Sequence, residues 1–436
     1  MCYAIPGRVK ELRDNFAIVD YFGEEKRALN ELDDLAPGDY IYAQGGYVIE
    51  KIPPKEAQST LATWKEVFFE LQETDLRLSR LDFEKEGVEK RLLRILDKAL
   101  ENITLTRDDL AYIFSIKSQK GLELVGKAAN FLRQKHLKNS CCVHGIIEIS
   151  NHCVQRCTYC GISQHNTALP RYRMSVDEII STAVRAVKEY GFKALVLQGG
   201  EDPAYSQDEL CKIVRSIKEE AHVLISISFG ETGVEALKNL YNAGARAMLM
   251  RFETSNRKLY RSIRPGKDLD ERLLHIRKAE EFGYLIMTGA LVGIPGQTGD
   301  DIINDIYLAK ELKAEMYSFG PFIPHPDTPL AKSAPCNAAD CLKTLAMIRF
   351  VDPQRAKILI TTAFETLQHD ARERGLLSGA NSVMLNVTPV AQRQAYAIYP
   401  DRMYQATDVK VQIDETLSLL RDLGRAPTDL GVHMVT

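Results

Sequence analysis

Three cysteines within eight residues stand out in the sequence: Cys153-Val-Gln-Arg-Cys157-Thr-Tyr-Cys160-Gly161. Three thiolates hold three irons of a cubane [4Fe–4S] cluster and leave the fourth iron open to a small molecule. An incomplete set of this kind points to chemistry at the cluster rather than to electron transfer alone. Two other readings compete. Zinc normally takes four ligands, and His152 or the nearby Cys141-Cys142 would have to complete its shell. Three inert buried thiols are the third reading. The C-x3-C-x2-C spacing, directly after a strand-like segment, favours the cluster.

Such a loop needs a scaffold. From Gly145 onward strand-like and helix-like segments alternate, with strands expected at 146–150, 194–198, 223–228, 247–252, 286–292, 316–321, 357–362 and 382–387. Between them lie amphipathic segments. Ile179, Ile180, Ala183, Ala186 and Val187 share one face, as do Ile302, Ile306, Ala309 and Leu312. Eight strands in this alternation predict an α/β fold, a parallel (βα)8 TIM-type barrel. Periodicity alone leaves a doubly wound open sheet as the alternative.

In a barrel the site forms at the C-terminal strand ends, and that rule selects further residues. The second strand ends in Gln198-Gly199-Gly200-Glu201, where two glycines allow close backbone approach and Glu201 suits an ammonium group. Ser228 ends the third. Arg251 and Glu253 end the fourth, alternating so that both face inward, and Arg272 follows in the next helix. A guanidinium and a carboxylate there suit a zwitterionic amino-acid moiety. Gly293 opens a glycine-rich turn after the fifth strand, of a kind that admits a nucleoside. Thr361 and Thr362, after the seventh, offer hydroxyls to a small anion. For each polar residue an ordinary cap or salt bridge is the competing reading.

The first 50 or so residues differ in character. Short β-branched and aromatic segments at 8–12, 16–21, 25–29 and 40–49 are punctuated by Gly7, Asp14-Asn15, Phe22-Gly23, Pro37-Gly38 and Gly45-Gly46. They predict a small β-barrel. Leu92, Leu93, Ile95, Leu96 and Leu100 recur at helical spacing, and Thr106 begins a helix start. The expected organisation is a small β-barrel domain over 1–75, a helical connector over 76–135, the large barrel over 136–400 and a tail packed on it over 401–436.

Composition narrows the function classes. The formal net charge is −3 and the pI about 6.4, so no nucleic-acid partner is expected. No apolar run reaches membrane-spanning length and no secretory signal is visible. The expected location is cytoplasmic, where clustered cysteines read as a metal site rather than a disulfide framework.

The cysteine spacing, with Tyr159 before the third cysteine, resembles the radical S-adenosylmethionine (SAM) superfamily. That resemblance implies SAM bound at the open iron and a 5′-deoxyadenosyl radical made by one-electron reduction, with reduced ferredoxin or flavodoxin as donor. Residues 105–400 resemble HydE-type maturases of [FeFe]-hydrogenase. The resemblance is carried by Gly145-Ile-Ile-Glu-Ile-Ser-Asn-His-Cys153, Arg171-Tyr-Arg, Gln198-Gly-Gly-Glu-Asp202, the proline-rich stretch 320–330, Thr361-Thr-Ala363 and Gly379-Ala-Asn-Ser-Val-Met384. It implies SAM contacts from Arg251, Glu253 and Arg272, and a substrate or anion site at Thr361 and Thr362. The chain departs from the family at Phe252 for His, His144 for Arg, Gly199 for Ser and Ser226 for Thr, so the SAM site is retained and the substrate pocket changed. Cys336 and Cys341 do not reproduce a second-cluster spacing. Residues 1–75 resemble the HypC/HupF chaperones of [NiFe]-hydrogenase maturation, through Met1-Cys2-Tyr-Ala-Ile-Pro-Gly7, Gly38-Asp-Tyr and Tyr47-Val-Ile. That resemblance gives Cys2 the role of iron ligand, with Gln44 where the family has a His. It also implies maturation factors or a hydrogenase subunit as partners.

Overall fold

A computed structural model of the chain describes residues 4–82 and 86–430. Cys2 therefore lies outside the described residues. The N-terminal part is a closed five-stranded barrel of β1 (Gly7–Arg13), β2 (Phe16–Tyr21), β3 (Glu24–Leu29), β4 (Tyr40–Gln44) and β5 (Tyr47–Ile52), paired in the order β1-β2-β3-β5-β4. Alternation builds it: Ala17, Val19 and Tyr21 of β2 are buried and the residues between them less so. The segment expected as one strand over 40–49 is two. Gly45 (φ +57°) and Gly46 (φ +86°) supply the left-handed pair that a tight hairpin turn demands.

Four helices follow: α1 (Pro54–Leu78), α2 (Lys90–Leu100), α3 (Arg107–Ser115) and α4 (Gln119–Leu137). Thr106 starts α3 through a reciprocal capping box with Asp109. Arg133 of α4 donates to both carboxylate oxygens of Asp75 in α1 at 2.7 Å, and Arg425 pairs with the same carboxylate at 3.2 Å. This buried knot ties the connector to the C-terminal end of the chain.

The remaining strands are β6 (Ser140–Ser150), β7 (Ala194–Gly199), β8 (Leu224–Ser228), β9 (Ala247–Leu249), β10 (Leu285–Thr288), β11 (Leu291–Val292), β12 (Met316–Tyr317), β13 (Gly320–Pro321), β14 (Lys357–Ile358), β15 (Ser382–Asn386) and β16 (Ala426–Pro427). Eight of them run parallel in the order β14-β12-β10-β9-β8-β7-β6-β15. A parallel bridge between Leu359 and Ser382 joins the two ends and closes the (βα)8 barrel. Helices Val176–Lys188, Gln207–Glu220 and Gly299–Glu311 of the outer layer each start with a capping box, at Ser175, Ser206 and Thr298. The fifth and sixth expected strands each split. At Gly289 the chains approach so closely that a Cβ would stand 2.3 Å from Ser318 O, and beyond that point β11 and β13 form a separate two-stranded sheet.

The small barrel plugs the foot of the large one. Tyr47 and Ile49 pack on Ala194 and Leu224, at the starts of β7 and β8. Tyr47 Oη donates to Gly283 O at 3.1 Å, Gln44 Nε2 donates to Thr428 O, and Arg246 pairs with Glu31 at 3.0 Å. Ala4 N donates to Pro427 O at 3.2 Å, beside β16, which pairs with β6. No helix among the described residues is long and apolar enough to cross a membrane.

Candidate functional site

The opposite end of the barrel holds a cavity of about 280 Å³. Cys153, Cys157 and Cys160 all line it. The loop that carries them leaves β6 at Ser150 and is held by backbone rather than by regular structure. Arg171 donates to Asn151 O and Ile162 O through Nη1, at 2.5 and 2.7 Å, and to Ser163 O and Asn166 O through Nη2, at 2.9 and 2.8 Å. One guanidinium thus satisfies four carbonyls of an irregular loop. From the other side His325 N donates to Tyr159 O at 3.2 Å and Leu330 N to Thr158 O at 3.0 Å, so the proline-rich 320–330 segment straps the loop down.

Gly200 is where the second strand end meets this loop. A Cβ there would stand 2.1 Å from His152 O and 2.8 Å from Cys153 Cβ. Neither atom can move without moving the cysteine. Gly200→Ala therefore displaces Cys153, at a cost of about 1–3 kcal/mol in strain. The expected result is reconstituted protein with markedly less than four irons per chain, read by iron and sulfide analysis.

Burial pushes the Cys157 thiol up to about 11, and raises Cys153 and Cys160 as well. Thiols in such surroundings are neutral at pH 7 unless a metal carries the charge. Beside them sits a charged network. Gln155 Nε2 donates to Glu201 Oε2 at 2.5 Å. Arg264 reaches Glu201 at 3.3 Å and Glu231 at 3.1 Å. Arg272 contacts Glu231 at 3.2 Å and donates from Nε to Arg251 O at 2.9 Å. Burial alone would raise the Glu231 carboxyl, but Arg272, Arg264 and Lys267 outweigh it and hold it low.

Glu253 follows β9 with a left-handed backbone, φ +69°. For a residue with a side chain this costs about 1–3 kcal/mol. The conformation is imposed by backbone bonds to the neighbouring strand: Leu291 N donates to Glu253 O at 2.8 Å. Glu253 Oε2 lies 3.3 Å from Arg251 Nη2, yet it is buried with no hydrogen bond. A carboxylate oxygen left this way faces a missing partner.

Asp305 pins the loop behind it, accepting from Ser255 N and Oγ at 2.5 Å and from Gln297 Nε2 at 3.2 Å. Burial pushes the Asp305 carboxyl up to about 7, against the lowering effect of those donors. A folded-state value above the unfolded one makes stability fall as pH rises from about 4 to 7. Asp305→Asn should flatten that slope, and urea midpoints across the window check it.

The structure gathers Tyr159, Gln198, Glu201, Ser228, Arg251, Glu253, Arg272, Thr361 and Thr362 on the walls of the same cavity. Thr361 caps the short helix Thr362–Leu367, its Oγ1 accepting from Phe364 N at 3.3 Å. A Cβ on Gly320 would stand 2.9 Å from Thr361 Oγ1 and 3.2 Å from Arg251 Nη1, so glycine lets these two groups lie side by side. Gly293 is the exception. It does not line the cavity, and its open side abuts Cys336, whose Cβ lies 2.7 Å from where a Cβ on Gly293 would be. The turn there serves packing: Gly293 N donates to Gln297 Oε1 at 2.7 Å.

Sequence reasoning missed part of the wall. Gln155, Arg264, Tyr396, Tyr399 and Arg402 also line the cavity. Arg402 pairs at 2.5 Å with Glu148, a fully buried residue of β6. Gln155 lay inside the cysteine motif and was open to recognition. The others come from a turn and from the C-terminal segment, where no periodicity marks them.

The donor set fits an iron–sulfur cluster with SAM: three thiols face one cavity, whose wall also carries the Arg251 guanidinium and the Glu253 carboxylate, one oxygen of which has no hydrogen bond. Comparison with known proteins agrees. Residues 147–309 match the radical SAM superfamily, 1–64 the HupF/HypC family and 318–426 the biotin and thiamin synthesis associated domain. The [FeFe] hydrogenase maturase subunit HydE of Thermotoga maritima is 38% identical over 333 residues, covering 76% of this chain and 94% of that protein. The 3-methylornithine synthase of Methanosarcina barkeri is 30% identical over 317 residues, covering 72% of this chain and 88% of its own. Among solved structures, methylornithine synthase (PylB) superposes with a TM-score of 0.66 at 27% identity, over 76% of this chain and 97% of that one. HydG, a maturase of the [FeFe]-hydrogenase, shares the fold with a TM-score of 0.65 at 20% identity, over 83% of this chain and 78% of its own. The superfamily implies a [4Fe–4S] cluster and SAM. The chain belongs to the radical SAM superfamily as a HydE-like radical SAM enzyme, with a domain of the HupF/HypC family at its N-terminus.

Proposed function

We propose that this enzyme matures a hydrogenase metallocofactor, acting by radical chemistry on a small ligand bound to iron or sulfur. The observation that carries the reading is the fusion: a HupF/HypC-family domain locked onto a HydE-like barrel in one chain. When bound, the cluster and SAM supply reductive cleavage to methionine and a 5′-deoxyadenosyl radical. Cys153, Cys157 and Cys160 hold the cluster. Arg251, Glu253 and Arg272 orient the amino-acid part of SAM, and Tyr396, Tyr399 and the 320–330 strap exclude water from the reacting end. Thr361 and Thr362 take the substrate or an anionic part of it. Reduced ferredoxin or flavodoxin donates the electron near Val154, which is exposed beside Cys153. The N-terminal domain docks or carries an iron fragment through Cys2 and meets maturation factors or a hydrogenase subunit.

The test is anaerobic reconstitution with SAM and dithionite, followed by chromatography for 5′-deoxyadenosine. A fully loaded protein that makes none sinks the enzymatic reading. Infrared bands of bound CO or cyanide that vanish in Cys2→Ala support the cargo, and a protein without such bands, isolated beside its maturation partners, counts against it. Similarity to 3-methylornithine synthases favours a second reading, hydrogen abstraction from a small amino acid. Deuterium transfer from such a substrate into 5′-deoxyadenosine would select it.

A further inference from the structure

A second cluster of metal-ligating side chains lies at the other end of β6. Cys142 and His144 sit two residues apart near the start of that strand and point the same way. Asp429, just after β16, meets them: His144 Nε2 is 3.2 Å from Asp429 Oδ2. One donor atom from each of the three lies within 4.8 Å of the others, and all three residues are buried. They line a cavity of about 20 Å³, closed from below by Gln44 and Gly45 of the small barrel. That volume holds one ion or one water and no larger ligand.

We propose that Cys142, His144 and Asp429 bind one divalent transition-metal ion at the foot of the barrel. The chemistry of the donors supports a metal of the zinc or iron(II) type, which takes sulfur, imidazole and carboxylate together. Donors around such an ion stand about 3.5 Å apart, so the observed spacing needs a contraction of only about an ångström. Charge supports the same assignment. The other two ionisable groups of the cavity, Lys357 and Glu315, pair with each other at 2.5 Å and cancel. A Cys142 thiolate and the Asp429 carboxylate then leave two negative charges, which one divalent ion neutralises. The site is separate from the cluster loop. Eight residue steps along β6 take the chain from Cys142 to Ser150, about 26 Å of strand.

The competing account is a plain buried imidazolium–carboxylate pair, for burial disfavours the charged imidazole but Asp429 and Cys142 more than restore it, raising His144 to about 10. The test uses the full chain carrying Cys153→Ala, Cys157→Ala and Cys160→Ala, so that no cluster iron enters the count and the outcome does not depend on SAM chemistry. The protein is produced in cobalt-supplemented cells and desalted through chelator. The expected result is one cobalt per chain with a thiolate-to-cobalt charge-transfer band, both lost when Cys142→Ser is added. Absence of stoichiometric cobalt, or a band that survives Cys142→Ser, overturns the proposal. If Cys142→Ser does not fold, X-ray absorption at the cobalt edge of the cobalt-loaded triple variant decides. One sulfur among nitrogen and oxygen neighbours upholds the site, and an all-sulfur or sulfur-free shell overturns it.

Discussion

Cys157→Ala abolishes SAM cleavage, a loss of at least about 10⁴-fold, while leaving the metal-free fold as stable as before. The two halves of that expectation have separate causes. The loop does not need the thiol to keep its shape: Arg171 and the 320–330 strap hold it through backbone carbonyls and amides. In the metal-free protein burial keeps Cys157 a neutral thiol, so its removal breaks no charged contact. The cluster, by contrast, loses one of three protein ligands and does not assemble. Iron content, the yield of 5′-deoxyadenosine and the thermal midpoint of the apoprotein measure the three quantities independently. A large drop in the apoprotein midpoint would show that the loop depends on the thiol after all.

Arg264→Met has the opposite profile, with stability and SAM binding falling together. Arg264 is 3% exposed and lies between the Glu201 and Glu231 carboxylates. Breaking a buried ion pair by removing one partner costs about 3–5 kcal/mol, because the other charge stays buried and unpaired. Arg272 and Lys267 still reach Glu231, at 3.2 and 2.9 Å, which places the cost at the lower end of that range. Glu201 loses more, since its remaining cationic neighbour, Arg272, stands 3.8 Å away. The freed carboxylate lines the cavity proposed to receive SAM, so the KM for SAM should rise. Adding Glu201→Gln should recover part of the stability by removing the carboxylate left with the weakest partner, and a double-mutant cycle in urea measures the coupling. Strictly additive losses would show that the network is not one unit.

The legible part of this molecule was the local part. The cysteine motif and the αβ alternation are written in spacings of a few residues, and the capping boxes at Ser175, Ser206 and Thr298 repeat the same short signal. Arg251 and Glu253 were found by a positional rule, since strand ends in this fold meet in one place. Arg264 and Arg402 were not found because their partners are distant in sequence: 63 residues separate Arg264 from Glu201, and 254 separate Arg402 from Glu148. A lone arginine carries no pattern that announces such a contact. Gly293 was misplaced for a related reason. A glycine-rich turn reads the same whether the freed space receives a ligand or a neighbouring side chain, and here it receives Cys336. The plug at the foot was equally silent, because Tyr47 and Ile49 read as ordinary strand residues of a small barrel.

That plug constrains traffic within the enzyme. Proteins that pass an intermediate between two centres often swing a tethered module from one to the other. Here the small barrel is fastened to the start of the barrel strands by Tyr47, Gln44 and the Arg246–Glu31 pair, and the helices that follow it are knotted to the last strand through Asp75, Arg133 and Arg425. Among the described residues these contacts hold it at the foot, away from the mouth where the cysteines lie. If the N-terminal domain carries the iron fragment proposed above, that cargo would travel to the barrel mouth by release and recapture or in the hands of another protein, and the two ends of the molecule would work as separate ports rather than as the ends of one arm.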